Sequence, residues 1–173
     1  MNLKVTELIA AMSEDLKRLI RERGIERPLM IGIHTGGAWI AERLHEQLKF
    51  EGPLGLLDIS FYRDDFSRIG VNPRVKPSSL PLSVDDRHII LVDDVLFTGR
   101  TIRAALNEIF DYGRPASVTL AALIERDGRE LPIEARVVGH RLKLEPHQHV
   151  KLSCPEPLEL RIVDTHGTNS HAP

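Results

Sequence analysis

His88-Ile89-Ile90-Leu91-Val92-Asp93-Asp94-Val95-Leu96-Phe97-Thr98-Gly99-Arg100-Thr101 is the stretch that decides how this chain is read. A continuous apolar run ends in two carboxylates, a Thr-Gly-x-Thr turn follows, and a helical pattern starts behind it. Such a run reads as a strand buried on both faces of a parallel sheet, and ligands of open α/β sheets sit beyond the carboxyl ends of the strands. Asp93 and Asp94 therefore stand where a ligand would bind. The turn opens a helix, whose unpaired N–H groups and dipole favour a phosphate. Each piece alone also fits a solvated turn with a helix cap. Together, acids for hydroxyls beside a nest for phosphate describe a reader of sugar phosphates.

Outward from this stretch the chain alternates between strand and helix patterns. Leu3, Leu8, Ile9, Met12, Leu16, Leu19 and Ile20 follow helical spacing, with Gly24 as the stop. Leu29 to Ile33 reads as a strand, Ala38 to Phe50 as a helix, and Gly55 to Tyr62 as a second strand. The stretch from Arg63 to Ser83 is polar, holds three prolines and lacks periodicity, which marks a functional or disordered loop. A helix is predicted from Gly99 to Tyr112, then strands at Val118 to Ile124 and Ala135 to Val138. Two more, Val150 to Leu152 and Leu158 to Val163, are expected to close the sheet. The fold class is α/β: a single domain over 1–163, its mainly parallel central sheet flanked by helices. Residues 164–173 are small and polar and are expected to fray.

Composition excludes several classes. Charged residues make up 28% of the 173 and hydrophobic ones 42%, an ordinary soluble balance, and a net charge of -2 leaves any nucleic-acid site to a local patch. One cysteine, Cys154, permits no internal disulfide and fits a reducing compartment. The amino-terminal residues lead into an amphipathic pattern, and no run is long enough to span a membrane. A cytoplasmic protein with no membrane partner is expected.

The stretch from Asp93 to Thr101 resembles the signature of type I phosphoribosyltransferases, which use 5-phosphoribosyl 1-pyrophosphate (PRPP). Three segments sharpen the likeness to the PyrR family: Asp58 to Asp65, Val92 to Thr101 with its aromatic Phe97, and Arg126 to Ile133. The resemblance runs from about Pro28 to Val163 and implies a flexible hood loop over the site. It implies that Asp93 and Asp94 accept the ribose hydroxyls and serve catalysis together with Arg63 of the hood. It also implies that Val95, Leu96, Phe97, Thr98, Gly99, Arg100 and Thr101 form the loop around the 5′-phosphate and base, with Gly99 permitting close approach. Thr35, Gly36 and Gly37 fall on the pyrophosphate loop, with a non-proline cis peptide expected at Thr35-Gly36. Arg126 falls where the family contacts nucleotide, and the backbone of Val150 where it reads the base edge. Arg129 and Glu130 are expected to pair with each other.

One residue departs from the pattern. PyrR proteins usually carry Thr-Arg-Gly where this chain has Thr35-Gly36-Gly37, which removes a bidentate phosphate contact. Restoring it as Gly36→Arg is expected to tighten PRPP binding or speed turnover. Magnesium is the implied cofactor, because a pyrophosphate leaving group needs its charge neutralised, with Asp93 and Asp94 touching the metal through water. The histidines at 140, 147, 149, 166 and 171 show no ligand spacing and read as scattered surface residues.

The family likeness implies a uracil phosphoribosyltransferase, in which uracil and PRPP give UMP and pyrophosphate, and a homodimer or higher homo-oligomer. A second reading is a UMP- and PRPP-sensing regulator that binds pyrimidine operon mRNA with little catalysis. Its positive face would come from Lys17, Arg18, Arg21, Arg23, Arg136, Arg141 and Lys143. A third is a purine phosphoribosyltransferase. Purine enzymes commonly hold an acid near the purine N7 at the loop position of Phe97, and a phenyl ring accepts no proton.

Overall fold

The computed structural model describes residues 3–59, 78–153 and 156–164. Arg63 and most of the predicted hood, Cys154, and the tail after residue 164 lie outside the described residues. Helix α1 runs Val5–Glu22, strand β1 Leu29–Ile33 and helix α2 Gly36–Leu48. Strand β2 follows at Gly55–Leu57, β3 at His88–Leu96 and helix α3 at Arg100–Tyr112. Strands β4 (Ser117–Arg126), β5 (Val137–Leu142), β6 (Gln148–Ser153) and β7 (Glu159–Asp164) complete the order.

The first five strands form one sheet in the order β2-β1-β3-β4-β5, and every pairing is parallel. All five residues of β1 are buried, which explains why it reads as an unbroken apolar run. Successive side chains point to opposite faces, so one strand feeds two cores. Met30, Ile90 and Val92 join Met12 and Leu16 of α1 and Ile40 and Leu44 of α2 on one face. Leu29, Ile31, Ile89 and Leu91 join Ile102, Ala105 and Ile109 of α3 on the other.

Three strand expectations need correction. The strand predicted at Gly55 to Tyr62 ends at Leu57, ahead of Asp58 and Ile59. The strand predicted at Ala135 to Val138 lies at Val137–Leu142, paired with β4 along its length. Strands β6 and β7 do not close the main sheet; they pair antiparallel as a separate two-stranded sheet. Their pattern gives the reason, since they alternate and are largely exposed, with Leu152 the buried side chain that anchors the hairpin to the core. A strand covered on both faces needs a continuous apolar run instead.

The sheet order also locates the working edge. From β1 the chain crosses to β2 on one side, whereas β3, β4 and β5 extend on the other. The connections after β1 and β3 thus diverge, and the crevice between their carboxyl ends is the topological switch point at which open α/β sheets bind ligands. No helix among the described residues is long and apolar enough to cross a membrane.

Candidate functional site

Two loops meet at that crevice. The first is His34 and Thr35, leading into Gly36 and Gly37 at the start of α2. The second follows Asp93 and Asp94 near the end of β3 and runs into α3. The non-proline cis bond is His34-Thr35, one link earlier than predicted. Gly36 is already the first residue of α2, with Thr35 as its cap, so the cis link precedes the cap.

The glycines let the loops touch. A Cβ on Gly37 would lie 2.5 Å from the Val92 carbonyl oxygen and 2.9 Å from Asp93 Cα. A Cβ on Gly36 would lie 2.3 Å from Asp94 Oδ2 and 2.5 Å from its Cγ. The carboxylate of Asp94 therefore rests on the bare backbone of Gly36. Gly36→Arg cannot simply add a guanidinium to the loop, because its Cβ must first displace Asp94. This revises the gain expected from the sequence alone.

The two acids differ in setting. Asp93 is 3% exposed, and its Oδ1 accepts the Asp94 N–H at 3.0 Å. Asp94 is half-buried and open toward the crevice loops. Behind them, Gly99 takes φ +94 as the residue capping α3, a conformation glycine adopts without a Cβ penalty. The Arg100 N–H donates to Thr98 Oγ1 at 3.2 Å, and the Arg103 N–H to the Gly99 carbonyl at 2.9 Å. The turn between β3 and α3 is thus held by hydrogen bonds of its own backbone and the Thr98 hydroxyl.

What the sequence reading missed is a clasp from the end of β4. The N–H groups of Glu130 and Leu131 donate to the Thr98 carbonyl at 3.0 and 3.1 Å. The Arg129 guanidinium donates to the Phe97 carbonyl and, at 2.8 Å, to Glu125 Oε1. Glu130 instead pairs with Arg100 at 2.8 Å, so Arg129 and Glu130 do not pair with each other. Arg126, 6% exposed, lies with its guanidinium carbon 4.1 Å from the Phe97 ring centroid. Its Nη1 donates to the Gln148 carbonyl at 2.8 Å, two residues before Val150. Arg126 is thereby brought to the side of Phe97, whereas Val150 packs against the core face that α1 and α2 cover. No spacing signal could have revealed the clasp, because its contacts run through backbone groups across a turn.

The cations proposed for a positive face are partly spent. Lys17 pairs with Glu14 at 2.7 Å, Arg18 with Asp15 at 2.6 Å, and Arg141 with Glu125 at 3.0 Å. Yet α1 packs on β5, with Met12 Sδ against Gly139, so the two cationic groups sit on neighbouring elements. Beside them, Arg129, Arg141 and Lys143 line a cavity of about 460 Å³ with Glu125 and Glu134. Among the described residues no group of three or more His, Cys, Asp or Glu is arranged to hold a metal.

Comparison with known proteins agrees with this geometry. The profile of the phosphoribosyl transferase domain matches residues 3–156. The bifunctional protein PyrR of Nitrosococcus oceani is 61% identical over 163 residues, covering 93% of this chain and 92% of its own. The bifunctional protein PyrR of Pseudomonas aeruginosa is 58% identical over 154 residues, covering 89% and 91%. Among solved structures, a hypoxanthine-guanine phosphoribosyltransferase of Bacillus anthracis superposes with a TM-score of 0.67 at 18% identity, over 87% of this chain and 86% of that one. A Trypanosoma cruzi hypoxanthine phosphoribosyl transferase gives 0.65 at 20% identity, over 86% and 80%. At such identities the structural likeness speaks for the fold alone.

Proposed function

This chain belongs to the phosphoribosyltransferases and, within them, to the PyrR proteins, and from that premise we propose that it transfers phosphoribose from PRPP to uracil, giving UMP and pyrophosphate. The observation that carries the proposal is the meeting of Asp94 with Gly36 at the switch point, beside a preformed phosphate turn. Asp94, half-buried and turned to the crevice, accepts a ribose hydroxyl. Asp93, buried and bonded to the Asp94 N–H, fixes the angle of the pair and takes the second hydroxyl. Thr98, Gly99, Arg100 and Thr101 hold the 5′-phosphate at the start of α3 with backbone N–H groups and hydroxyls. Thr35, Gly36 and Gly37 hold pyrophosphate through backbone N–H groups, since no arginine is present there.

The transition state at ribose C1 carries positive character, so exclusion of water and stabilisation of the leaving group supply the rate. Arg63, which lies outside the described residues, is the residue proposed to meet the pyrophosphate. Phe97, Arg126 and Val150 surround the base. Magnesium is the cofactor that fits, because the site offers two adjacent carboxylates and no protein cage, and this ion is commonly held by one or two carboxylates plus substrate phosphates. Asp93 and Asp94 would hold it through water, and when bound it would supply charge neutralisation for the pyrophosphate leaving group. Residues 1–163 are taken as the catalytic unit, at work in the cytoplasm.

The test is direct. Purified protein with PRPP, magnesium and radiolabelled uracil should form UMP, and chelation should abolish the product. No UMP above background would sink the activity.

A second role, UMP-responsive binding of pyrimidine operon mRNA, is favoured by the packing of α1 on β5, with Arg21 on α1, Arg23 just after it, and Arg136 and Lys143 flanking β5. A gel shift with the organism's own pyrimidine-operon leader should show UMP-dependent binding that weakens with salt. Binding indifferent to UMP would refute the regulatory role and leave the enzyme intact.

A further inference from the structure

We propose that Arg129 is a positioning residue for the 5′-phosphate turn: it ties back a backbone carbonyl so that N–H groups of the turn are left aimed at a phosphate. The inference rests on the phosphoribosyl-transfer reading above. A turn that binds an anion through backbone N–H groups has to keep its carbonyl oxygens off that anion, because the negative ends of their dipoles repel it. In a trans peptide the C=O and the following N–H share one plane and point in opposite directions. Whatever holds a carbonyl therefore also aims the N–H of the next residue. The links from Phe97 to Arg100 are not among the cis bonds of the described residues, so the rule applies to each of them.

Two consecutive carbonyls of the turn are held by one short segment. The Phe97 carbonyl accepts from the Arg129 guanidinium, which aims the Thr98 N–H away from Arg129. The Thr98 carbonyl accepts from the N–H groups of Glu130 and Leu131, which aims the Gly99 N–H away from them. Neither the Thr98 nor the Gly99 N–H has an acceptor among the described residues. Gly99 is buried as well. Buried backbone donors are nearly always paired, so this one points to an acceptor of another kind, as a phosphate oxygen would be.

Arg129 is anchored for such a hold. Its other Nη donates to Glu125 Oε1 at 2.8 Å, and the two side chains are 23% and 20% exposed. Glu125 stands beside Leu96 in the β3–β4 ladder, one residue before Phe97, and β4 is flanked on its other side by β5. The guanidinium is thus fixed to the sheet by one prong and to the turn by the other. A planar fork does this in one rigid piece, which a lysine ammonium on its flexible stem does not. From the same segment Leu131 and Ile133 pack on Gly99, 3.3 and 3.5 Å from a Cβ placed there.

The experiment titrates UMP and magnesium pyrophosphate calorimetrically into the parent, Arg129→Met and Arg129→Lys, and follows the Gly99 amide by NMR. In both variants UMP affinity should fall by roughly tenfold, the scale of one charge-assisted hydrogen bond. Pyrophosphate belongs to the other loop, and its affinity should stay within about twofold. Arg129→Lys keeps the charge, so its loss shows that aim, rather than charge, is what the arginine supplies. In the parent UMP should draw the Gly99 amide proton downfield, and in both variants by less. Parent-like UMP affinity in Arg129→Lys, or equal losses for UMP and pyrophosphate, overturns the proposal. So does a Gly99 amide that UMP leaves unmoved in the parent, a measurement that stands even if neither variant folds. Formation of UMP from uracil and PRPP is assayed in parallel. A parent that binds UMP but forms none overturns the transfer reading alone, and the affinities still decide the role of Arg129. A parent that binds no UMP overturns both.

Discussion

Replacing Gly37 by alanine tests whether the site depends on contact between the two crevice loops. The added Cβ would lie 2.5 Å from the Val92 carbonyl oxygen where ordinary contact begins near 3.4 Å, a shortfall of about 0.9 Å. Both opposing atoms are backbone, and they belong to β3, which is paired on each side by β1 and β4. The central strand cannot retreat, so the start of α2 must. Overpacking of this kind costs about 1–3 kcal/mol, and a domain of this size loses about 2–4 °C of melting temperature per kcal/mol. Function suffers more, because a misplacement of about 1 Å can lower a rate by about a hundredfold. Melting curves and PRPP-dependent UMP formation should be measured beside Gly36→Ala and Gly52→Ala. The Gly36 variant meets only side-chain atoms of Asp94, which can rotate, so it should keep most of its stability and lose PRPP affinity. The Gly52 variant meets nothing within 4 Å and should match the parent. If Gly37→Ala melts and turns over like the parent, the close approach of the loops is not what this glycine serves.

Three other outcomes follow from the same geometry. Asp93→Ala removes a buried acceptor of the Asp94 N–H and should cost about 1–3 kcal/mol of stability as well as activity, whereas Asp94→Ala should spare the melting temperature and raise the PRPP Michaelis constant. Phe97→Ala should cost well under 1 kcal/mol of folding stability, on the order of the weaker cation–π contacts, yet should relax discrimination among bases in a competition assay. Glu125→Ala frees Arg129 and Arg141 and should lower stability by about 1 kcal/mol, a figure kept small because Arg141 is largely exposed. Its effect in thermal melts should shrink as salt is raised.

The sheet, the order of its elements and the two acids were legible because they depend on local rules. A doubly covered parallel strand is apolar along its length, as β1 and most of β3 are, and a turn that enters a helix at positive φ favours a glycine, as at Gly99. The separate β6–β7 hairpin was misplaced because an alternating strand shows that one face is covered, without showing by what. The cis bond fell one link away from its predicted place, at His34-Thr35.

By itself, then, the run from His88 to Thr101 determined that a parallel strand carries Asp93 and Asp94 near its carboxyl end and that a glycine turn opens the helix behind it, because each step rests on the chemistry of near neighbours. Only the tertiary structure decided that Asp94 rests on Gly36, that Arg126 joins Phe97 to Gln148, and that Arg129 and Glu130 take separate partners. The contacts of Asp94 with Gly36 and of Arg126 with Phe97 and Gln148 link residues 22 to 58 positions apart, and they arise from packing strands side by side in an order that no local pattern spells out.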